Sequence, residues 1–212
     1  MNKDEITIVI CCAGMGTRLG IGSTKALIDI DEKPLIVRLL ELLKDYDDIR
    51  IVVGFQAEKV IETVNTIRKD IIFVFNHEYA STGIANSLQL GMKCCRKYVV
   101  EIDGDMIIDA TDFLRFMTHP NECVAITEIN SDNPILVDVE EGKVSSFSMK
   151  KGNAEWTGLF KIDASKLDGN KNYIYELIEA SLPLDAIEVS ARDIDTAEDY
   201  EKAMIWYKQH YV

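Results

Sequence analysis

Short apolar runs rich in β-branched residues alternate with amphipathic segments along the first half of the chain. Ile6 to Ile10, Ile49 to Val53, Ile71 to Phe75 and Tyr98 to Ile102 read as strands, while Leu35 to Leu43, Ala57 to Ile67 and Ile84 to Met92 carry apolar residues at helical spacing. Strands that are apolar throughout are covered on both faces, so this βαβ rhythm predicts a largely parallel sheet with helices on either side. Pro34 opens the first helix, where its fixed φ is suited and its missing N–H costs nothing, and Leu35, Leu39, Leu42 and Leu43 are the residues expected to pack on the sheet. Beyond Asp112 the texture changes. Cys123 to Ile129, Ile135 to Val139, Val144 to Met149 and Trp156 to Ile162 read as consecutive strands, with Glu140 to Lys143 as a hairpin turn. A helix over Tyr173 to Ser181 and a strand over Ala186 to Val189 follow. A last helix is capped by Thr196 and carries Glu198 and Asp199 in its first turn. The pattern predicts one α/β domain over residues 1–212, parallel to about residue 110 and mixed or antiparallel from about 111 onward. Ligands of such open sheets lie beyond the carboxyl ends of the strands. Gly14 to Lys25, Gln56, Asn76 to Ser87 and Asp103 to Asp105 are therefore expected to converge.

Composition narrows the partners. The 212 residues carry a formal net charge of -13, which disfavours nucleic acid and anionic membranes, since both demand a basic footprint. No apolar run approaches the eighteen or so residues of a membrane span. Met1 to Glu5 lacks a signal peptide's apolar stretch, so the expected compartment is the cytoplasm. The five cysteines include the adjacent pairs Cys11-Cys12 and Cys94-Cys95, and neither their spacing nor their odd number fits a zinc site or a disulfide framework. Buried reduced thiols are expected. His77, His119 and His210 are scattered, without a partner at metal-ligand spacing. Nothing in the sequence fixes an oligomeric state, a homodimer being one arrangement that it allows.

The candidate chemistry begins at Ala13-Gly14-Met15-Gly16-Thr17-Arg18-Leu19, which closes the first strand and is followed by Lys25. Two glycines let backbone N–H groups approach phosphate oxygens, and Arg18 and Lys25 reverse the repulsive field of an acidic protein. Gly22-Ser23-Thr24-Lys25 is not a Walker loop, which needs Gly-Lys before Ser or Thr. The dinucleotide fingerprint also fails, because its third glycine falls at Gly20 where Leu19 should be glycine and no helix begins at once. A long glycine-rich loop that wraps a triphosphate is implied. Asp103-Gly104-Asp105 follows a strand directly and can hold a divalent ion that also takes phosphate oxygens, magnesium being the natural choice. Asp193 and Asp195, on one face if extended, offer the remaining carboxylate, and plain helix capping is the competing reading.

Taken in order, the first loop with Lys25, Gly54-Phe55-Gln56, Thr82 to Leu88, Asp103-Gly104-Asp105, Lys150, Glu155 to Gly158 and Ile194-Asp195-Thr196 resemble the nucleotidyltransferases that make nucleotide-activated sugars and alcohols. The resemblance spans nearly the whole chain and is greatest to the small cytidylyltransferases acting on phosphocholine and related phosphorylated alcohols. Cys11-Cys12 departs from the small aliphatic residues or glycine usual there. The resemblance implies a three-layer α/β/α, Rossmann-like fold with a mixed, mostly parallel sheet. Ala13, Gly14, Gly16 and Thr17 would hold the nucleotide, and Arg18 and Lys25 would grip its phosphates as the catalytic cations. Gln56, Thr82, Asn86 and Ser87 would lie near base and ribose, and Asp105 and Asp195 would bind magnesium with Asp103 close by. Lys150, Glu155 and Trp156 would face the acceptor, although Trp156 also reads as core and Lys150 as a solvated turn. Glu155 with Tyr173 and Tyr175 is a candidate receptor for a cationic head group.

The implied reaction joins a nucleoside triphosphate, CTP in this reading, to a small phosphorylated acceptor with release of pyrophosphate. A phosphate monoester is already an ionised nucleophile at neutral pH, so no general base is required. Positioning two anions and stabilising the leaving pyrophosphate fall to Arg18, Lys25 and the ion. The alternatives are a sugar-1-phosphate nucleotidyltransferase using UTP, dTTP or GTP, a metal-dependent glycosyltransferase of similar fold, and a non-catalytic nucleotide sensor. The glycosyltransferase has no need of Arg18 and Lys25 around a triphosphate, and against a degenerate sensor stands the presence of Arg18, Lys25, Asp105 and Asp195 together.

Overall fold

The computed structural model describes residues 1–20, 22–169 and 171–211. Strand β1 (Ile6–Cys12) is followed by the paired short strands β2 (Asp29–Ile30) and β3 (Lys33–Pro34), helix α1 (Leu35–Leu42), strand β4 (Ile49–Val53), helix α2 (Ala57–Ile67), strand β5 (Ile72–Phe75) and helix α3 (Ile84–Gly91). Strands β6 (Tyr98–Asp103) and β7 (Met106–Ile108) lead to helix α4 (Ala110–Thr118) and strands β8 (Cys123–Thr127), β9 (Leu136–Glu140), β10 (Lys143–Ser148) and β11 (Ala154–Asp163). Helix α5 (Ile174–Ile178), strands β12 (Leu184–Glu188) and β13 (Ala191–Asp193) and helix α6 (Ala197–Tyr211) complete the chain.

Among the described residues the main sheet has nine strands, in the order β5-β4-β1-β6-β11-β8-β12-β10-β9. The pairings make β1, β4, β5, β6, β8, β9 and β12 run one way and β10 and β11 the other, which is a mixed sheet with most strands pointing in one direction. Alternate residues of β1 show why it has three layers. Ile6, Ile8 and Ile10 pack with α1, α2 and α4, whereas Val9 packs with α3 and α5 on the opposite face. A third apolar cluster joins Ala203 and Trp206 of α6 to Ile30, Leu35, Ile107 and Ile194.

The expected strands and helices of the first half are present, with Leu35, Leu39 and Leu43 buried and Leu42 partly so. Strand β5 departs from expectation, since Ile72 and Phe75 are about half exposed. It is an edge strand, and hydrophobicity at every position does not report how many neighbours a strand has. The hairpin turn between β9 and β10 is as expected, with Glu141 and Gly142 both at positive φ, the pattern of a type I′ turn. Thr196 caps α6 reciprocally: its Oγ1 accepts from the Asp199 N–H at 3.2 Å while its own N–H donates to the Asp199 carboxylate at 2.9 Å.

Helix α4 stands where the changed texture suggested no helix. Its signal was present in Asp109, whose carboxylate accepts from the N–H groups of Thr111 and Asp112, and in the buried helical face of Phe113, Phe116 and Met117. The four strands expected after it are present, and in the sheet they are interleaved, with β11 inserted between β6 and β8. Strands β7 and β13 were not anticipated either, because three residues are too few to show alternation.

Arg50 on β4 is buried with Asp48 in a two-pronged pair at 2.9 and 3.1 Å and donates to the carbonyls of Gly91, which ends α3, and of Lys93 and Cys94 beyond it. This joins the end of α3 to the sheet. Replacing Arg50 by Met leaves Asp48 buried without its main partner, and urea unfolding should report a loss of about 3–5 kcal/mol, whereas a loss below about 1 kcal/mol would contradict that role.

Candidate active site

The loop after β1 is shaped by its glycines and by what crosses it. Gly16 has φ +59, and a Cβ there would lie 2.9 Å from Lys25 Cγ, so glycine both permits the left-handed backbone and leaves room for the lysine stem. The loop is held to the turn after β4, since the Phe55 N–H donates to the Ala13 carbonyl at 3.1 Å. Gln56 braces it further. Its amide donates to the Gly22 carbonyl at 2.9 Å and accepts from the Ser23 hydroxyl and the Thr24 N–H. In this structure the Gln56 side chain thus engages the loop, a use that its expected place near base and ribose did not foresee. Ile21, within the same loop, lies outside the described residues.

A cavity of about 290 Å³ opens at the carboxyl edge of the sheet, lined by Ala13, Gly14, Gly16, Thr17, Arg18 and Lys25. Thr82, Ser87, Asp103 and Asp105 line it from the other side. Asn76 ties Thr82 to Ser87, its amide donating to the two hydroxyls at 3.1 and 3.0 Å. Asn86, although on the same helix, is not among the residues lining this cavity or the next. Tyr79, which the sequence did not single out, forms part of the wall and meets Phe55 with ring centroids 6.4 Å apart.

Strand β13 brings the second group of carboxylates to the first. It pairs with β7 through Asp193 and Met106, and the Ile194 N–H donates to the Asp105 carbonyl at 3.2 Å. Lys25 bridges the two groups: its ammonium is 2.6 Å from Asp105 Oδ2 and also contacts Asp195 Oδ1. Arg18 reaches the same Asp195 oxygen at 2.9 Å. Burial alone would lower the Lys25 pKa, but Asp105 and Asp195 hold the ammonium above its ordinary range. Asp103 has its pKa pushed up to about 7, by burial first and then by Asp105. Burial and the Asp105 charge raise Asp193 well above the carboxylate range, and burial with Asp103 does the same for Glu101 beneath it. Gly158, at φ +88, is what admits Asp103, because a Cβ there would stand 2.4 Å from its Oδ2.

A second cavity, of about 670 Å³, shares Arg18, Ile84 and Asp103 with the first. Glu155 and Trp156 line it, but both are committed within the protein. The Glu155 carboxylate accepts from the N–H groups of Asn130 and Ser131 at 2.7 and 3.2 Å and from the Ser131 hydroxyl, fixing the wall loop. Trp156 is buried, packs edge-on to Phe147 and donates to the Leu159 carbonyl at 3.2 Å. Tyr173 and Tyr175 also line the cavity, stacked with centroids 5.5 Å apart. Lys150 sits in an exposed turn after β10 and lines neither cavity. Asp132, Arg192 and Trp206 are lining residues that sequence reasoning missed; no motif marks them, and only the chain's folding collects them.

A glycine cradle with two cations and an acidic cluster at the carboxyl edge of a three-layer sheet defines a nucleotide-binding, group-transferring class of domain. Residues 8–141 match the MobA-like NTP transferase domain, and the chain belongs to that family. The bifunctional protein GlmU of Aliarcobacter butzleri is 28% identical over 200 residues, which cover 83% of this chain and 46% of that protein. Choline-phosphate cytidylyltransferase of Streptococcus pneumoniae is 32% identical over 111 residues, 50% of this chain and 44% of that protein. The matched segment covers less than half the length of each of these curated relatives. The solved structure of CTP:phosphocholine cytidylyltransferase from Streptococcus pneumoniae (LicC) has a TM-score of 0.79 at 22% identity, over 95% of this chain and 99% of that one. The inositol-1-phosphate CTP transferase of T. maritima also gives 0.79, at 16% identity over 98% and 97%. Both share the fold. No helix among the described residues is long and apolar enough to cross a membrane.

The raised Asp103 pKa gives a pH prediction. Its folded value near 7 exceeds the unfolded 3.8, so the folded state holds the extra proton between them, and this group's contribution to stability is lost as pH rises through that window. Melting curves in EDTA from pH 5 to 8 should fall more steeply for the wild type than for Asp103→Asn. Parallel slopes would contradict it.

Proposed function

We propose that the domain is a magnesium-dependent nucleotidyltransferase that joins CTP to a small phosphorylated alcohol and releases pyrophosphate. The observation carrying this reading is that two cavities, one ringed by the glycine loop and its cations and the other larger and partly aromatic, meet at Arg18 and Asp103. That is the arrangement needed for two anionic substrates to approach each other.

The residues fit a magnesium ion on their own chemistry. Asp193 Oδ1 is buried without a hydrogen-bond partner, and the space between Asp105 and Asp195 already holds a positive charge, the Lys25 ammonium. No three ligating side chains are gathered for a metal among the described residues. Magnesium does not need them, because it is bound through one or two carboxylates plus phosphate and water. Asp105 and Asp195 would hold it, with Asp103 or Asp193 adjacent, and when bound it would neutralise charge on the phosphates. The chain's own work is positional. Backbone groups from Ala13 to Gly16 wrap the triphosphate, Arg18 and Lys25 draw charge toward the leaving pyrophosphate, and the acceptor phosphate, already ionised, is directed in line at the α-phosphorus.

The choice of CTP and an amino-alcohol phosphate is supported by relatives and fold neighbours named for choline phosphate and for CTP, and by Tyr173, Tyr175 and Trp206 around the second cavity with Asp132 on its wall. With the Glu155 carboxylate spoken for by its loop, a cationic head group would rest on the tyrosine faces and Asp132. A sugar 1-phosphate with UTP, dTTP or GTP is the second reading, favoured by Asn130, Asn133, Thr157 and Gln209, which line the same cavity and suit hydroxyl groups.

Two outcomes follow. Asp105→Asn should lower turnover by at least about a hundredfold, and near-normal turnover at saturating magnesium would remove Asp105 from the metal site. With CTP fixed, pyrophosphate release should give kcat/KM for phosphocholine or phosphoethanolamine about tenfold or more above any sugar 1-phosphate. The reverse order would select the sugar reading and leave nucleotidyl transfer standing.

A further inference from the structure

Lys25 is placed for two incompatible partners. It belongs to the loop that would bind the triphosphate, yet its ammonium lies between Asp105 and Asp195, with its side chain only 16% exposed. Arg18 adds a second positive charge to Asp195. Around this ammonium stand Asp103, Asp105, Asp193 and Asp195, so removing it without replacement would leave like charges together in a poorly solvated pocket.

We infer that Lys25 is the internal counter-ion of the Asp105–Asp195 pair, and that divalent cation and nucleoside triphosphate exchange places with it as a coupled event. The inference rests on the nucleotidyltransferase reading. A divalent cation entering alone meets a fixed positive charge already holding the oxygens it needs. A triphosphate entering alone can recruit Lys25 only by uncovering those carboxylates. Each ligand removes the obstacle to the other: the phosphates accept the ammonium, and the metal neutralises the acids it leaves. The exchange needs only torsions of a four-carbon stem rooted at a short helical turn, Lys25–Leu27. Coupling of this kind is reciprocal, so metal tightens nucleotide by the factor with which nucleotide tightens metal. It would also keep the site from loading with magnesium before the nucleotide arrives.

The test measures binding without turnover. Free Mn²⁺ is followed by electron paramagnetic resonance as it is titrated into the metal-free wild type, Lys25→Met and Lys25→Arg. Lys25→Met should bind Mn²⁺ alone at least about tenfold more tightly than the wild type, while Lys25→Arg, which keeps the charge, should not. Equal or weaker binding by folded Lys25→Met would overturn the inference. Should that variant not fold, the wild type serves alone. After reductive methylation with ¹³C-formaldehyde, the Lys25 methyl resonance should move when Mg²⁺ and α,β-methylene-CTP are added together and stay nearly fixed with Mg²⁺ alone. A full shift with Mg²⁺ alone, or none with both, would overturn it. Calorimetry with the α,β-methylene analogues of CTP, UTP, dTTP and GTP keeps the two claims apart: absence of binding by all four would defeat the nucleotidyltransferase reading itself, whereas binding without any effect of Lys25 on Mn²⁺ would defeat only the coupling.

Discussion

Charge balance at the carboxyl end of β6 is the constraint on which the rest of this site depends. Asp103, Asp105, Asp193 and Asp195 are brought together with Glu101 beneath them, and the chain opposes them with Lys25 and Arg18. Raised proton affinity at Asp103, Asp193 and Glu101 is the direct consequence of burial combined with neighbouring negative charge. A protein selected for stability alone would have little reason to bury these acids. Strongly perturbed acids gathered in a cleft are the physical mark of a functional site.

The scaffold gives this cluster its geometry through a few contacts of high sequence separation. Strand β13 reaches β7 and delivers Asp193 and Asp195, the Gln56 side chain pins the glycine loop, and the absence of a side chain at Gly158 makes space for Asp103. Glu155 plays the corresponding part for the second cavity by tying Asn130 and Ser131 into its wall. The two cavities are thereby built from opposite halves of the chain yet share Arg18 and Asp103, so their ligands would meet over the same charged floor.

Much of this was legible from residue order. Apolar runs and helical spacing place β1, β4, β6 and their helices, and the glycine loop with Arg18 and Lys25 names one side of the site, because backbone conformation and charge are local demands that leave local traces. The carboxylate pair Asp193 and Asp195 was visible as a candidate, but not the three-residue strand that carries it to Asp105. Nor could the engagement of Glu155 and Gln56 be read: a carboxylate or amide looks the same in sequence whether it meets a ligand or a backbone N–H. Asp132 and Trp206 reach the second cavity solely through long-range packing, and α4 leaves its cap and apolar face written in the chain.

The central claim is that this site directs an acceptor phosphate to the α-phosphorus of a nucleoside triphosphate. Its most direct test is to follow the label from [α-³²P]CTP and [γ-³²P]CTP in parallel reactions with magnesium and a panel of phosphorylated alcohols and sugar 1-phosphates, repeating with the other triphosphates. The account predicts that the α label enters the acceptor product and the γ label leaves in pyrophosphate. Transfer of the γ label to an acceptor, or release of labelled inorganic phosphate without product, would contradict it.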